Sequence, residues 1–139
     1  QLRYKIMKNI YFIIKLFVLC SFAVIAYISI VLLSYESYYY CNDKNCLTFV
    51  ETIKGRDLVV KVYDKRIYSR LQMKNSSYME FYPEFIPYFE EDNNGGFIVH
   101  SDSEPKIAIG DMSNIRFVLS GYECCGTPFY KLNYYMIIF

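Results

Sequence analysis

The first third of the chain contains one continuous apolar stretch. Residues 16–33 include no charge and no proline, and the uncharged run extends to Tyr35. A helix of about twenty residues is about 30 Å long, which matches the hydrocarbon core of a bilayer. The stretch lacks the polar stripe of an amphipathic core helix. The pattern therefore predicts a membrane-spanning helix over residues 10–35, with the lipid bilayer as its partner, after a basic segment at 1–9.

Two features of the flanks decide between a permanent anchor and a cleaved signal peptide. A signal peptide has a shorter apolar region and ends in a small-x-small site. Here Leu32, Leu33 and Ser34 precede Tyr35, so that site is absent and we predict an uncleaved signal anchor. Lys15 lies close enough to the start of the apolar run for its amine to reach the lipid headgroups. We expect a belt of aromatic side chains at the outer membrane interface, formed by Tyr35, Tyr38, Tyr39 and Tyr40.

Beyond Cys46 the apolar positions alternate with period two, which is typical of half-buried strands. Residues 47–53 and 58–63 predict a hairpin around the turn KGRD, and 67–73 fit either a strand or a short helix. Further strands are expected in FIVH, KIAI, NIRFVL and the closing stretch from 129 to 139. Around seven short strands predict a small, mainly-β domain over residues 36–139, arranged as an antiparallel sheet, a sandwich or a partial barrel.

Two connecting stretches carry their own expectations. Pro83 and Pro87 lie four residues apart, so residues 75–94 are expected to be irregular up to the turn NNGG. The sequence GDMSN, between KIAI and NIRFVL, is expected to be a hairpin loop.

Charge is distributed unevenly between the two parts of the chain. Residues 1–35 carry four basic side chains and no acid, whereas residues 36–139 carry fourteen acids and eleven bases, a net charge of −3. By the positive-inside rule, the N-terminus lies in the cytoplasm and the domain lies outside it. We therefore predict a single-pass protein of the bacterial inner membrane with a periplasmic domain. A nucleic-acid partner is not expected, because the folded part lacks a basic excess.

Four cysteines follow the apolar stretch, and an even number in a small exported domain predicts two disulfides. Because a bridge between the adjacent Cys124 and Cys125 would be strained, we expect each to pair with either Cys41 or Cys46, closing loops of about eighty residues. A zinc site is the alternative. It is disfavoured because adjacent cysteines rarely place both sulfurs on one tetrahedral ion.

Candidate catalytic groups are few. His100 is followed by Ser101 and Asp102, but consecutive residues of a strand point to opposite faces and cannot form a relay. The chain contains no G-x-S-x-G sequence. His100 has no histidine partner for a metal, and the acids near residue 90 lack the spacing of a calcium loop. We therefore expect no enzymatic activity, metal, cofactor or small-molecule substrate.

The segment 78–92 places aromatic side chains among acids and two prolines, which is typical of a contact surface for another protein. Its candidate partner-binding residues are Phe81, Tyr82, Phe85, Tyr88, Phe89, Glu90, Glu91 and Asp92. The alternative is that Phe81, Phe85 and Phe89 cover the sheet.

Together these features predict a membrane-anchored protein-binding module. We expect an inhibitor or immunity-type protein that neutralises an envelope-acting toxin or enzyme, with the acidic segment 78–92 meeting a basic target. The alternative is a structural or assembly subunit of a bacterial or viral envelope complex, in which the membrane helix itself makes contacts.

Overall fold

The computed structural model describes residues 1–120 and 126–139 and divides into two units, Gln1–Ser34 and Tyr35–Phe139. The predicted order, an apolar N-terminal helix followed by a mainly-β domain, is confirmed. Helix α1 (Leu2–Leu33) includes the basic segment and has no buried residue. It is long and apolar enough to cross a membrane. It ends two residues before the predicted boundary because Ser34 has extended backbone angles (φ −78°, ψ 155°) and strand β1 starts at Tyr35.

In its described residues the second unit has ten strands, arranged in two sheets. The first sheet has the order β10-β1-β2-β3-β4-β7, and the second has the order β8-β6-β5-β9. The described strand pairs are antiparallel except for β6 and β8, which are parallel. A short helix, α2 (Arg70–Lys74), and a 3₁₀ turn, Phe129–Lys131, complete the fold. The strands are β1 (Tyr35–Cys41), β2 (Cys46–Lys54), β3 (Asp57–Tyr63), β4 (Tyr78–Phe81), β5 (Tyr88–Glu91), β6 (Phe97–Ser101), β7 (Ile107–Ile109), β8 (Ile115–Leu119), β9 (Thr127–Pro128) and β10 (Asn133–Ile137).

The strands that the period-two pattern predicts are present, but two predictions about connections are wrong. Residues 75–94 are not irregular, because β4 and β5 form on either side of the prolines. GDMSN is not a hairpin loop, because β7 pairs with β4 in the first sheet while β8 pairs with β6 in the second. It carries the chain from one sheet to the other. Of the two alternatives for residues 67–73, the structure has the short helix.

The first sheet is covered on both faces. Its inner face packs against the second sheet around buried Phe49, Val60 and Phe81, whereas its outer face packs around Val50 and Ile67. Burying such side chains away from water is the main stabilising contribution to the domain. Strand β2 supplies the adjacent residues Phe49 and Val50 to opposite cores.

The prediction that Cys41 and Cys46 each form a disulfide with Cys124 or Cys125 is wrong. Cys41 is bonded to Cys46, and Cys124 and Cys125 lie outside the described residues. The reason is local: antiparallel pairing of β1 and β2 places Cys41 opposite Cys46, with their Cα atoms 4.0 Å apart. Two cysteines that the hairpin already holds side by side can form a disulfide without any distant segment.

Candidate functional site

The segment between β4 and β5, residues 82–87, is here called the 82–87 loop. Pro83 and Pro87 are buried, whereas the three residues between them are exposed. Phe85 exposes 48% of its surface and Ile86 42%. Proline fixes its own φ near −65°, so the two buried rings restrain both ends of the exposed tip. The loop thus presents two large apolar side chains to solvent from a restrained backbone.

Side chains from the neighbouring segments hold this loop. The backbone N–H groups of Glu84 and Phe85 both donate to Oδ2 of Asp102, at 3.1 and 3.3 Å. At the start of the loop, the hydroxyl of Tyr82 donates to Oε2 of Glu80 at 3.3 Å, and Nζ of Lys106 lies 4.3 Å from the centre of the Tyr82 ring. A loop fixed in this way loses little conformational freedom when a partner binds.

The predicted aromatic binding residues separate into two groups. Phe81 and Phe89 belong to the inner core, with exposures of 0% and 6%, so they cover the sheet as the alternative interpretation had it. Tyr82 and Tyr88 are half-buried, and Phe85 alone of this set is an exposed aromatic ring. Ile86 was missed in the sequence, although its position between two prolines beside Phe85 was the available signal. A binding role for the exposed members stays a prediction.

The predicted acidic binding residues make contacts within the domain. Glu90 Oε1 lies 3.0 Å from Nε2 of His100, and Glu91 accepts a hydrogen bond of 2.7 Å from the Tyr40 hydroxyl. That hydrogen bond raises the pKa of Tyr40. Asp92 Oδ2 lies 3.7 Å from Nε of Arg116. Glu90 and Asp92 thus contact neighbouring strands of the second sheet, whereas Glu91 links that sheet to β1 of the first. Glu84 is the exposed acid at the tip.

His100 lies between a carboxylate and a hydroxyl. Its Nδ1 is 3.0 Å from Oγ of Ser120, and its Nε2 contacts Glu90. Both partners belong to segments distant in sequence, so the pattern around His100 does not reveal them, and the adjacent Ser101 and Asp102 do not contact its ring nitrogens. A hydrolase relay needs its hydroxyl beside a substrate cleft. His100 is 7% exposed, and its two bonds are those that any buried histidine requires. The cluster joins β5 and β6 to the end of β8.

The predicted membrane-interface tyrosines all lie in β1 and make contacts inside the domain. Tyr38 packs edge-on against Phe129, with ring centres 5.2 Å apart. The guanidinium of Arg66 lies 3.8 Å from the centre of the Tyr39 ring. Tyr40 packs against Phe89 and Phe97 in the core. A membrane-interface role for Tyr35, Tyr38, Tyr39, Tyr40 and the exposed Lys15 stays a prediction.

Within residues 1–120 and 126–139, no group of three or more histidine, cysteine, aspartate or glutamate side chains is arranged to hold a metal ion. Comparison with known proteins gives the chain no family. No protein-family model matches it, and no curated protein or solved structure matches it either.

Proposed function

We propose that the chain is a membrane-anchored protein-binding module whose contact surface is the tip of the 82–87 loop. The observation that carries this proposal is the exposed pair Phe85 and Ile86, held between two buried prolines and the carboxylate of Asp102. Large apolar side chains on a restrained protrusion are typical anchors of protein interfaces. Their exposure to water is unfavourable in the free domain and is relieved when a partner covers them.

The anchoring part of the proposal places α1 across the bacterial inner membrane, with the domain in the periplasm. Arg3, Lys5, Lys8 and Lys15 on the N-terminal side of the helix favour a cytoplasmic N-terminus. The Cys41–Cys46 disulfide supports a domain outside the reducing cytoplasm.

The partner in this proposal is an envelope-acting toxin or enzyme that the chain inhibits. An exposed Phe–Ile pair fits a concave apolar cleft, which is the usual shape of a ligand or active site. Because Glu90, Glu91 and Asp92 already have partners within the domain, apolar contact at the tip supplies most of the affinity, rather than attraction to a basic target.

The test is site-specific photo-crosslinking of the full chain in envelopes of the cells that produce it. A benzophenone amino acid at position 85 crosslinks one protein, whereas the same probe at the even more exposed position 71 does not. The double variant Phe85→Ala, Ile86→Ala weakens binding to that protein by about tenfold or more, the usual effect of losing interface anchors. The control variant, Tyr68→Ala with Leu71→Ala, removes exposed apolar surface elsewhere and leaves binding unchanged. Undiminished binding by the tip variant contradicts the proposal.

Growth of cells exposed to the crosslinked partner tests the inhibitory role. The wild-type chain restores growth, and the tip variant does not. Replacing residues 10–33 with an unrelated membrane helix leaves protection intact if the helix serves only as an anchor. Loss of protection on that exchange indicates an assembly subunit instead.

A further inference from the structure

A second feature of the domain is a basic cavity on the outer side of the first sheet. Its volume is about 350 Å³, which lies at the lower end of the range for ligand pockets. Lys61, Arg70 and Lys74 line it together with Tyr35, Tyr63 and Tyr78, and none of the described residues that line it is acidic. Because the lining is basic, the electrostatic energy of an anion within the cavity is favourable.

The fold places these cations from two directions. Lys61 extends from β3, and its amine lies 4.0 Å from the buried carboxylate of Glu80. Arg70 and Lys74 lie four residues apart on α2, and this spacing puts both side chains on one face of the helix. The guanidinium of Arg70 lies 4.9 Å from the centre of the Tyr35 ring. Lys61 Nζ likewise lies 4.9 Å from the centre of the Tyr78 ring, so cations and aromatic rings alternate around the cavity.

Helix α2 is held tightly by hydrogen bonds. The Ser69 hydroxyl accepts from the backbone N–H of Gln72 at 3.1 Å, and Gln72 Nε2 donates to the carbonyl of Arg66 at 2.9 Å. Met73 is buried in the outer core. These contacts fix the positions of Arg70 and Lys74 before any ligand arrives, which reduces the entropic cost of binding.

One atom of the lining residue Arg70 is unsatisfied. Its Nε is buried from solvent and has no hydrogen-bond partner among the described residues. A buried charged donor without a partner costs free energy, so such groups are normally paired. A guanidinium binds phosphate through two parallel N–H···O bonds, and the adjacent ammonium group adds a point charge.

We propose that this cavity binds the phosphate of an anionic lipid headgroup. Tyr35, which lines the cavity, follows the last residue of α1 after a single intervening residue. Two steps along the chain place the Tyr35 Cα within about 7 Å of the Leu33 Cα. One lining residue, Tyr35, is thus two residues along the chain from the end of the membrane helix. Headgroup phosphates are most concentrated at the ends of a membrane-spanning helix. The proposal depends on the membrane anchor and is independent of the 82–87 loop.

The experiment measures lipid binding to the full chain by native mass spectrometry in a neutral detergent. The probes are dihexanoyl phosphatidylglycerol, the zwitterionic dihexanoyl phosphatidylcholine, and inorganic phosphate. We expect one phosphatidylglycerol to bind, with phosphatidylcholine binding about tenfold more weakly, since its headgroup brings a cation close to the basic side chains of the cavity. Inorganic phosphate binding as tightly as phosphatidylglycerol overturns the lipid source and indicates a soluble phosphate ester. Equal binding of the two lipids overturns the anionic site.

Matched variants locate the binding. Arg70→Gln with Lys74→Gln lowers phosphatidylglycerol affinity about tenfold, as expected for the loss of charge-assisted hydrogen bonds. The control, Lys65→Gln with Lys131→Gln, removes the same charge from exposed positions that do not line the cavity and leaves affinity nearly unchanged. Equal losses in both variants overturn the proposal. Lys74→Gln alone, at an exposed position, provides a variant that keeps the fold and still weakens binding severalfold.

The tip variant Phe85→Ala, Ile86→Ala separates this site from the protein-binding proposal. It binds phosphatidylglycerol as the wild-type chain does, because neither residue lines the cavity. A tip variant that loses the lipid together with its protein partner shows that the two sites are not independent and overturns the cavity as a separate site.

Discussion

At the scale of single residues, one pair of like charges works against the fold. Glu36 and Glu51 face each other directly in the register of β1 and β2. Burial, and then the nearby charge of Glu36, raise the pKa of Glu51. Burial and the same two carboxylates raise the pKa of Tyr38 and of Tyr134. Like charges directly opposite each other on neighbouring strands are destabilising. The ionised form of Glu51 therefore lowers the free energy of unfolding.

This pair predicts how stability depends on pH. The pKa of Glu51 in the folded domain lies above its ordinary value of 4.5, so the folded state holds the proton more tightly than the unfolded state. The stabilisation is complete at low pH, falls as pH rises above about 4.5 through the raised pKa, and does not return at neutral pH. Glu51→Gln removes that decline and raises the urea midpoint of the full chain, measured in neutral detergent at neutral pH. Glu104→Gln, at an exposed position, serves as the control. A Glu51→Gln variant that loses stability with pH as steeply as the wild type contradicts the prediction.

The aromatic residues show what sequence reasoning can and cannot resolve. Their clustering in 78–92 was visible, but Phe81, Phe85 and Phe89 lie at equal spacing and meet different surroundings. Phe81 and Phe89 lie in strands and pack into the inner core, whereas Phe85 lies at the tip of the loop between them. Which of the three rings is buried depends on the path of the chain from β4 in the first sheet to β5 in the second. The contact between His100 and Glu90 depends in the same way on the pairing of β5 with β6.

At the scale of elements, three sets of contacts fix the turn of the β1–β2 hairpin. The disulfide joins Cys41 and Cys46 across its end, and Asn42 Oδ1 accepts from the backbone N–H groups of Lys44 and Asn45. The side-chain amides of Asn42 and Asn45 both donate to the carbonyl of Gly95, at 2.9 Å each. This turn is therefore fastened to the turn before β6, which links the two sheets.

The short loop closed by this disulfide predicts a modest stabilisation. With a sequence separation of 5 between the cysteines, the loop-entropy relation gives about 2 kcal/mol, against about 4.5 kcal/mol for an eighty-residue closure. Cys41→Ser with Cys46→Ser therefore lowers the free energy of unfolding by about 2 kcal/mol, and Cys20→Ser in the helix leaves it unchanged. Trypsin cleaves after Lys44, so a non-reduced digest holds peptides 16–44 and 45–54 together. A disulfide from either peptide to 117–131 contradicts the observed pairing.

Strands in which apolar residues recur at every second position were predictable because at least one face had to be apolar, as with Leu58, Val60 and Val62 of β3. Strands β4 and β5 were not, since each has four residues and lies close to a proline that is tolerated in the adjoining loop. The pairing of β7 with β4 could not be predicted from the sequence either. The residues of β7 and β8 alternate like the arms of a hairpin, but they join different sheets. Local patterns specify that a strand forms, whereas strand order depends on how the two cores are filled.

At the scale of the whole molecule, the first and last strands of the domain are neighbours. Strand β1 follows the helix directly and pairs with β10, with Tyr35 opposite Ile137. The backbone N–H of Arg70 also donates to the carbonyl of Phe139 at 2.5 Å. The free edge of β1 is thus covered by the last described strand. Pairing across about a hundred residues is slow to form, so we infer that the sheet closes late in folding.

The charge distribution predicts how the chain is oriented across the membrane, and this orientation can be tested. All four bases of residues 1–35 precede the long uncharged run, and this asymmetry favours a cytoplasmic N-terminus. A C-terminal epitope tag on the wild-type chain is therefore digested by protease added to intact spheroplasts. Replacing Arg3, Lys5 and Lys8 with Gln protects a larger share of the tag, because fewer charges hold the N-terminus inside.

The matched control for this orientation test removes three charges from the domain instead. Replacing Arg56, Lys65 and Lys131 with Gln leaves digestion of the tag unchanged, since these bases lie more than about 20 residues beyond the end of the helix, outside the flanks that the positive-inside rule weighs. A wild-type tag that resists protease until the membrane is broken reverses the orientation. Because the 82–87 loop and the basic cavity both belong to the domain, that result would also move both proposed contact sites to the cytoplasmic side, where a disulfide between Cys41 and Cys46 would be reduced.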